Sequence, residues 1–187
     1  MTNTISTYYL FFDTEFTSFA KYGLISIGIV SEDKKYDLYL ERTDFNKKDC
    51  SDFVVDVVIP LLDLEKFGKT YKEISEKLIS WINDLPCKNV ILLADYVGDI
   101  IIFEQLISEP GSIKLNKPIS CQYLTKAFEQ ATKERGLYDY RAINKAIEKI
   151  SIGINESMCT NPEMQHHALF DAIANCDGWK AGMNYLK

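Results

Sequence analysis

The sequence predicts an α/β protein in which helices flank a mixed sheet that begins with an antiparallel three-strand meander. Three apolar segments near the N-terminus, separated by polar segments, predict the meander. A continuous apolar run at residues 89–94 is typical of an interior strand covered on both faces. Segments with helical periodicity surround that run and predict the flanking helices.

The predicted strands of the meander are residues 8–13, 24–30 and 36–40. The polar turn at residues 31–35 joins the second strand to the third, as in an antiparallel hairpin. Residues 52–66 stay ambiguous, because their valines favour a strand while Pro60 interrupts a strand or a helix alike.

A helix is predicted after Thr70, which is a suitable N-cap with Glu73 in the capping-box position. Its apolar stripe consists of Ile74, Leu78, Ile79 and Ile82. A second helix is expected from Asp99 to Ser108, ended by Pro110 and Gly111. Further helices are expected at residues 122–135, 139–150 and 167–186, with a polar loop over residues 155–165.

Length and composition indicate one compact domain over residues 1–187, with 47% hydrophobic and 12% aromatic residues. The net charge of −6 argues against a protein that coats nucleic acid, since such proteins carry a basic face. An enzyme that holds only the last nucleotides of a strand is compatible with that charge.

The N-terminus has no signal-peptide pattern, and no run approaches the roughly 20 apolar residues that span a bilayer. The five cysteines are scattered and never spaced Cys-x-x-Cys, which argues against a zinc site or a disulfide framework. We therefore expect a cytoplasmic protein with no membrane partner.

The first candidate site is the aromatic, apolar segment of residues 11–16, which contains Asp13 and Glu15. Side chains alternate faces along a strand, so these two carboxylates share a face roughly 7 Å apart. Two buried carboxylates repel each other unless a cation joins them, and Mg²⁺ or Mn²⁺ takes oxygen ligands of this kind. The alternative is a strand end whose acids meet solvent.

Two further groups of polar residues lie at predicted element boundaries. Asp95 follows the interior strand and Asp99 begins the next helix, where an ordinary helix cap is the alternative function. His166 and His167, the two histidines of the chain, precede a helix that carries Asp171. Histidine suits proton transfer near neutral pH, although two exposed loop histidines are the alternative.

Together the motifs at residues 11–16, 92–99 and 166–172 resemble the DEDDh branch of 3′-5′ exonucleases, in the ribonuclease H-like superfamily. They are Asp-x-Glu on a first strand, Asp at a helix start, and His-x-Ala-Leu-x-Asp-Ala near the C-terminus. Residues 13–33 most resemble the short bacterial exoribonucleases of the RNase AS type. The resemblance implies a ribonuclease H-like mixed sheet and a single exonuclease domain.

The resemblance also implies that four acids bind two Mg²⁺ or Mn²⁺ ions about 3.5–4 Å apart. These acids are Asp13, Glu15, Asp99 and Asp171. One ion would lower the pKa of a water, a histidine would take its proton, and a nucleoside 5′-monophosphate would leave. Helical spacing favours His167, four residues before Asp171, whereas the family pattern falls on His166. We expect His166 to be the base, with His167 as the second candidate.

For the substrate we expect the 3′ end of a single-stranded nucleic acid, with RNA favoured. Thr14, Phe16 and Phe19 would contact the terminal nucleotide through amides and ring faces. Asp95 stands where many family members have Asn, and it would orient a ligand or contact the substrate. Lys66, Lys69 and Lys72 form a modest basic cluster. Family members of this kind are usually homodimers.

Three alternatives to an exoribonuclease stay open. A single-stranded DNA exonuclease differs by a contact to the 2′-OH, which the sequence does not reveal. A catalytically silent nucleic-acid-binding module could share the fold, although it would not need all four acids and the histidine. An ordinary acidic α/β domain would match the motifs by coincidence.

Overall fold

The computed structural model describes residues 5–109 and 113–187. Within these residues the strands form one mixed sheet of six, in the order β4-β3-β2-β1-β5-β6. The strands are β1 (Ile5–Phe16), β2 (Leu24–Ser31), β3 (Asp37–Arg42), β4 (Gly68–Lys69), β5 (Cys87–Ala94) and β6 (Ile119–Tyr123). The helices are α1 (Leu64–Phe67), α2 (Tyr71–Asp84), α3 (Val97–Ile107), α4 (Leu124–Glu134), α5 (Tyr140–Thr160) and α6 (Ala168–Tyr185).

The predicted α/β class and the meander are confirmed. Strand β2 pairs antiparallel with both β1 and β3, whereas β5 pairs parallel with β1 and with β6. This mixed sheet with flanking helices is compatible with a ribonuclease H-like fold. Because β1 and β5 are parallel neighbours, their carboxyl ends meet at the same edge of the sheet.

Strand β1 contributes to a core on each face of the sheet, because successive side chains point to opposite sides. Phe12 is fully buried in the core that includes residues of α2 and α3. Its neighbour Phe11 is fully buried in the core that includes residues of α4, α5 and α6, where its ring contacts Trp179. The sheet is therefore covered on both sides near the strand that carries the first acidic motif.

Helix α2 confirms the predicted capping box of Thr70 and Glu73, and its predicted apolar stripe is fully buried. Helix α3 begins at Val97, two residues before the predicted start, with Tyr96 as N-cap. Its predicted stop at Pro110 and Gly111 lies outside the described residues. Helices α4 and α6 agree with the predictions to within about two residues at each end.

One predicted loop boundary is wrong, and two strands were not predicted. Helix α5 continues to Thr160, so the loop predicted over residues 155–165 was wrong at its start. Packing against α6 explains the extension, since the Ser157 hydroxyl donates to Asp177 Oδ2 at 2.9 Å. Strands β4 and β6 were not predicted, and the ambiguous residues 52–66 form short helical turns. Val54 and Val58 in those turns are buried in a small core with Ile25.

All five cysteines carry free thiols. Across residues 5–109 and 113–187, every helix lacks either the length or the apolar character needed to cross a lipid bilayer.

Candidate metal centre

A cleft of about 450 Å³ opens at the carboxyl ends of β1 and β5. In open α/β sheets this edge is where ligands bind, because loops and helix N-termini converge there. All nine site residues that the sequence predicted line the cleft: Asp13, Thr14, Glu15, Phe16, Phe19, Asp95, Asp99, His166 and Asp171.

Four separate segments bring the polar side chains to this cleft. Asp13 and Glu15 lie near the end of β1 and, two residues apart, point to one face. Asp95 directly follows β5, and Asp99 lies in the first turn of α3. His166 and Asp171 belong to the N-terminal end of α6, so the site depends on how closely that helix approaches the sheet.

Gly28 allows that close approach. In the antiparallel ladder it is the partner of Asp13, and a Cβ at this position would overlap the backbone of Leu169 and Ala168 in α6. Any larger residue would therefore push the first turn of α6 away from β1. Gly28 was not predicted as a residue that positions the site, although the strand register places it opposite Asp13.

The polar groups form two sets of three. The ligand atoms of Glu15, His166 and Asp171 lie within 4.8 Å of one another, and so do those of Asp13, Asp95 and Asp99. Among the described residues no lysine or arginine lines the cleft, and no salt bridge neutralises these acids. Since concentrated carboxylates without a basic partner are costly, the clusters could hold metal ions.

Burial and mutual repulsion raise the pKa values of these acids in the protein without bound ions. Desolvation raises the pKa of Glu15 to about 9, and the charges of Asp171 and Asp99 add to it. Desolvation is also the main cause that raises the pKa of Asp99 to about 7 and that of Asp171 to about 6. Asp13 shifts in the same direction, with its pKa well above the ordinary value. A bound cation would oppose each of these shifts.

Asp99 provides the clearest test of whether a cation fits. Its Oδ1 accepts the Thr14 hydroxyl at 2.6 Å and the Thr14 backbone N–H at 3.2 Å. Its Oδ2 is buried and has no hydrogen-bond partner. A buried carboxylate oxygen of this kind costs free energy unless a cation or water meets it. Tyr96, not Asp99, is the N-cap of α3, although the Asp99 carboxylate also interacts with its own backbone N–H in the first turn.

Thr14 therefore orients Asp99. Thr14 is only 3% exposed, and its amide, which we expected to contact a nucleotide, donates to Asp99 instead. This pairing joins β1 to α3 across 85 residues of sequence.

His166 lies at the cleft in a left-handed backbone conformation, with φ of 65°. Non-glycine residues adopt this region at a cost, although histidine does so more readily than most. The backbone N–H of His166 donates to Asp171 Oδ2 at 3.2 Å, which holds the bend in place. The imidazole contacts the edge of the Phe53 ring, with centroids 4.9 Å apart.

His167 points elsewhere. It is buried, and its ring stacks on Tyr39 with centroids 4.2 Å apart. Burial lowers the pKa of His167, and its Nδ1 has no hydrogen-bond partner. The structure thus brings His166, and not His167, to Glu15 and Asp171. Helical spacing favoured His167, which is not the histidine at the acids. The spacing does not apply to His166, because His166 precedes the helix and its positive φ turns the backbone there.

Asn175 holds Asp95 in place. Its Nδ2 donates to Asp95 Oδ1 at 2.9 Å, and Asn175 is only 1% exposed on α6. Asn175 follows Asp171 by four residues, so both lie on the same face of the helix. That four-residue spacing from Asp171 could have identified Asn175 from the sequence.

Aromatic rings border the cleft. Phe16 contacts the rings of Phe19, Tyr22 and Tyr96 at centroid distances of 5.2–6.0 Å. Phe19 is 74% exposed and Phe53 is 51% exposed, so both rings offer free faces beside the acids. Phe53 was not predicted, because it lies in the ambiguous segment and no local pattern marks it.

The predicted basic cluster does not contribute to the cleft. Lys66, Lys69 and Lys72 are absent from its lining. Lys69 donates to the carbonyl of Gly68, and Lys72 pairs with Glu76 along α2.

Comparison with known proteins assigns no family: no family model matches the chain, and no curated protein matches it.

Proposed function

We propose that the protein is a metal-dependent 3′-5′ exoribonuclease that releases nucleoside 5′-monophosphates from single-stranded RNA ends or short RNA. One observation carries the proposal. Four acids and a histidine from separate segments line one cleft that has no lysine or arginine among its described residues. Their order along the chain is the order of the DEDDh pattern that the sequence resembles.

Asp13, Glu15, Asp99 and Asp171 would hold two Mg²⁺ or Mn²⁺ ions. Hard divalent ions prefer carboxylate oxygens, and the unpartnered Asp99 Oδ2 supports such a site. When bound, the ions would activate a water molecule and neutralise the charge of the phosphodiester.

His166 would act as the general base. A nitrogen of its imidazole and carboxylate oxygens of Glu15 and Asp171 all lie within 4.8 Å of one another. The imidazole would therefore reach a water molecule held at those acids. As His166 takes the proton, the water oxygen bonds to phosphorus and the bond from phosphorus to the 3′-oxygen breaks. The 3′-oxygen then takes a proton from solvent.

The exposed rings of Phe19 and Phe53 would hold the terminal bases. Stacking on an aromatic face is worth about 1–3 kcal/mol per base and tolerates different bases. Without a cationic side chain in the cleft, the metal ions would supply most of the attraction for phosphate, which is consistent with a net charge of −6. The preference for RNA over DNA rests on the resemblance to RNase AS-type enzymes.

The decisive assay uses 5′-labelled RNA and DNA of equal sequence, with Mn²⁺ and with EDTA. A ladder that shortens from the 3′ end of RNA only with Mn²⁺ supports the proposal. A ladder on DNA alone would replace it with a DNA exonuclease. Binding without shortening would replace it with a silent binding module.

Asp13→Ala should keep the fold yet lower kcat/KM by at least about 10²-fold, because Asp13 lies between the other acids. Asp84→Asn is the matched control: it removes one exposed acid from the end of α2, outside the cleft, and should leave the rate unchanged. Near-normal turnover by Asp13→Ala would remove Asp13 from the mechanism.

We also propose a homodimer, on the resemblance alone. Light scattering during size-exclusion chromatography measures the mass directly. A mass near twice 21.5 kDa supports the dimer, and a mass near 21.5 kDa contradicts it.

A further inference from the structure

We infer that Asp95 is a fifth metal-binding carboxylate, which with Asp13 and Asp99 binds one divalent cation before any nucleotide arrives. The inference rests on the proposed function, since it concerns the same ions. It departs from the pattern that the chain resembles, in which Asn commonly stands at this position.

The distances allow one ion to contact all three residues. Carboxylate oxygens of Asp13, Asp95 and Asp99 lie within 4.8 Å of one another. Three oxygens that surround one ion at 2.0–2.6 Å lie at most about 3.5–4.5 Å apart, so small side-chain adjustments would bring all three carboxylates to one ion. Glu15 and Asp171 belong to the second group, which keeps its own carboxylates for the other ion.

The buried Oδ2 of Asp99 is a second, independent indication that a cation binds here. Asp99 is 1% exposed and lines the cleft, and its Oδ2 has no partner. Thr14 occupies only Oδ1, so Oδ2 stays available. A cation among the three carboxylates would satisfy this oxygen and offset the cost of its burial.

Asp95 is oriented yet accessible. The buried Asn175 donates to Oδ1 of Asp95 and restricts its rotation, while Asp95 itself is exposed at the cleft. This combination lets an ion enter from solvent and meet a carboxylate that is already positioned. An Asn at position 95 could keep the hydrogen bond from Asn175, but it would bring no negative charge.

The number of carboxylates determines whether the ion needs the substrate. Mg²⁺ is commonly held by one or two carboxylates together with phosphate oxygens of the substrate, so its affinity falls when the substrate is absent. Three carboxylates concentrate more negative charge on one site, and no lysine or arginine lines the described part of the cleft to compete. The ion at Asp13, Asp95 and Asp99 should therefore bind without RNA.

The test is calorimetric titration of Mn²⁺ into the full chain without RNA, for the wild type, Asp95→Asn and Asp84→Asn. We expect the wild type to bind an ion at Asp13, Asp95 and Asp99 without RNA. Asp95→Asn should bind this ion at least about 10-fold more weakly, because a charged ligand becomes neutral. Asp84→Asn changes the net charge equally but lies outside the cleft, so it should match the wild type.

The outcomes separate this inference from the proposed function. An unchanged Mn²⁺ affinity in Asp95→Asn overturns the inference, and a raised KM for RNA in that variant would make Asp95 a nucleotide contact. A wild type that binds no Mn²⁺ without RNA also overturns it, while Mn²⁺-dependent cleavage would leave the proposed function intact. A wild type that neither binds Mn²⁺ nor cleaves RNA overturns both. Melting in EDTA shows whether Asp95→Asn is folded, and Asp95→Ala provides a second variant.

Discussion

At the scale of single residues, alternation along β1 assigns neighbouring side chains to different elements. Asp13 and Glu15 point to the face where α6 lies, and Thr14 between them points to the face of α3 and holds Asp99. One short segment therefore supplies two acids and positions a third. A shift of one residue in the register of β1 would exchange these faces and dismantle the site.

Thr14→Val removes the hydroxyl but keeps the shape and the backbone N–H, so Asp99 Oδ1 loses its shorter hydrogen bond. Hydrogen bonds to charged groups contribute about 1.5–3 kcal/mol, which corresponds to a fall in kcat/KM of roughly 10- to 100-fold if the whole effect reaches the transition state. Steady-state kinetics on single-stranded RNA measures it. Thr14→Ser keeps a hydroxyl and should lose little, and equal losses in both variants would contradict the assigned role.

The two histidines should respond differently to substitution by asparagine. His166→Asn removes the proposed base and should lower kcat by about 10²- to 10⁴-fold with little change in melting temperature. His167→Asn removes a ring that stacks on Tyr39 in the interior, so it should lower the melting temperature more than it lowers kcat. Parallel kinetics and melting curves measure both effects. The reverse pattern would make His167 the base.

At the scale of elements, α6 completes the site. It packs on β1 and β2 and carries Asp171 in its first turn, five residues after His166. Gly28 sets its distance from the sheet, because the backbone of α6 occupies the space where a side chain would be. The sheet and the helix therefore position the acids of the cleft jointly.

Gly28→Ala should lower both stability and activity. Alanine in place of glycine usually favours a strand, so a loss here would come from the overlap with Leu169 and Ala168. Overpacking costs typically about 1–3 kcal/mol, and the displaced helix should also weaken Mn²⁺ binding. Calorimetry and kinetics per folded molecule measure the effect on the site.

Ile29→Val is the control for Gly28→Ala. Ile29 is buried in the core that includes α2 and α3, so its truncation should cost about 0.5–1.5 kcal/mol of stability without changing Mn²⁺ affinity. Unchanged Mn²⁺ affinity in Gly28→Ala would show that the position of α6 does not control the site.

At the scale of the whole molecule, the acids form a cluster of unfavourable charge that bound divalent ions would relieve. The raised pKa values have a defined consequence for stability. Folded-state pKa values of about 6, 7 and 9 for Asp171, Asp99 and Glu15 exceed the ordinary values of acids in an unfolded chain. Their contribution is fully present below about pH 4 and is lost as the pH rises through the folded-state values.

The ion-free protein in EDTA should therefore melt at a lower temperature at pH 8.5 than at pH 5. A difference of about 1.5 pKa units between the folded and the unfolded state corresponds to about 2 kcal/mol in the free energy of unfolding. For a chain of this size, 2 kcal/mol lowers the melting temperature by roughly 4–8 °C. Asp33 and Asp44 have lowered pKa values and act in the opposite sense, but both are mostly exposed and contribute less.

Excess Mg²⁺ should reduce this dependence on pH, because bound ions keep the acids ionised at little cost. The stabilisation by Mg²⁺ should accordingly be larger at pH 8.5 than at pH 5, as measured by thermal melting. A melting temperature in EDTA that rises from pH 5 to pH 8.5 would contradict the proposed state of these acids.

Local patterns were enough to predict much of the fold. The capping box at Thr70 and Glu73 and the apolar stripe of α2 depend on contacts within one helix, so the sequence displays them directly. Strand β6 was not predicted, because it is an edge strand of the described sheet and most of its residues are half-buried, so its sequence shows no clear alternation of apolar and polar residues. The end of α5 escaped because its packing partner is 20 residues away in sequence.

By itself the sequence determined which residue types are present and which of them share a face of one strand or helix, as with Asp13 and Glu15. Only the tertiary structure decided that Thr14 orients Asp99, that Asn175 holds Asp95, and that His166 faces the acids while His167 is buried. The physical reason is the separation along the chain between the residues that come into contact. Periodicity reports neighbours along one element, whereas these contacts join β1, β5, α3 and α6 after they pack, at distances that no local pattern encodes.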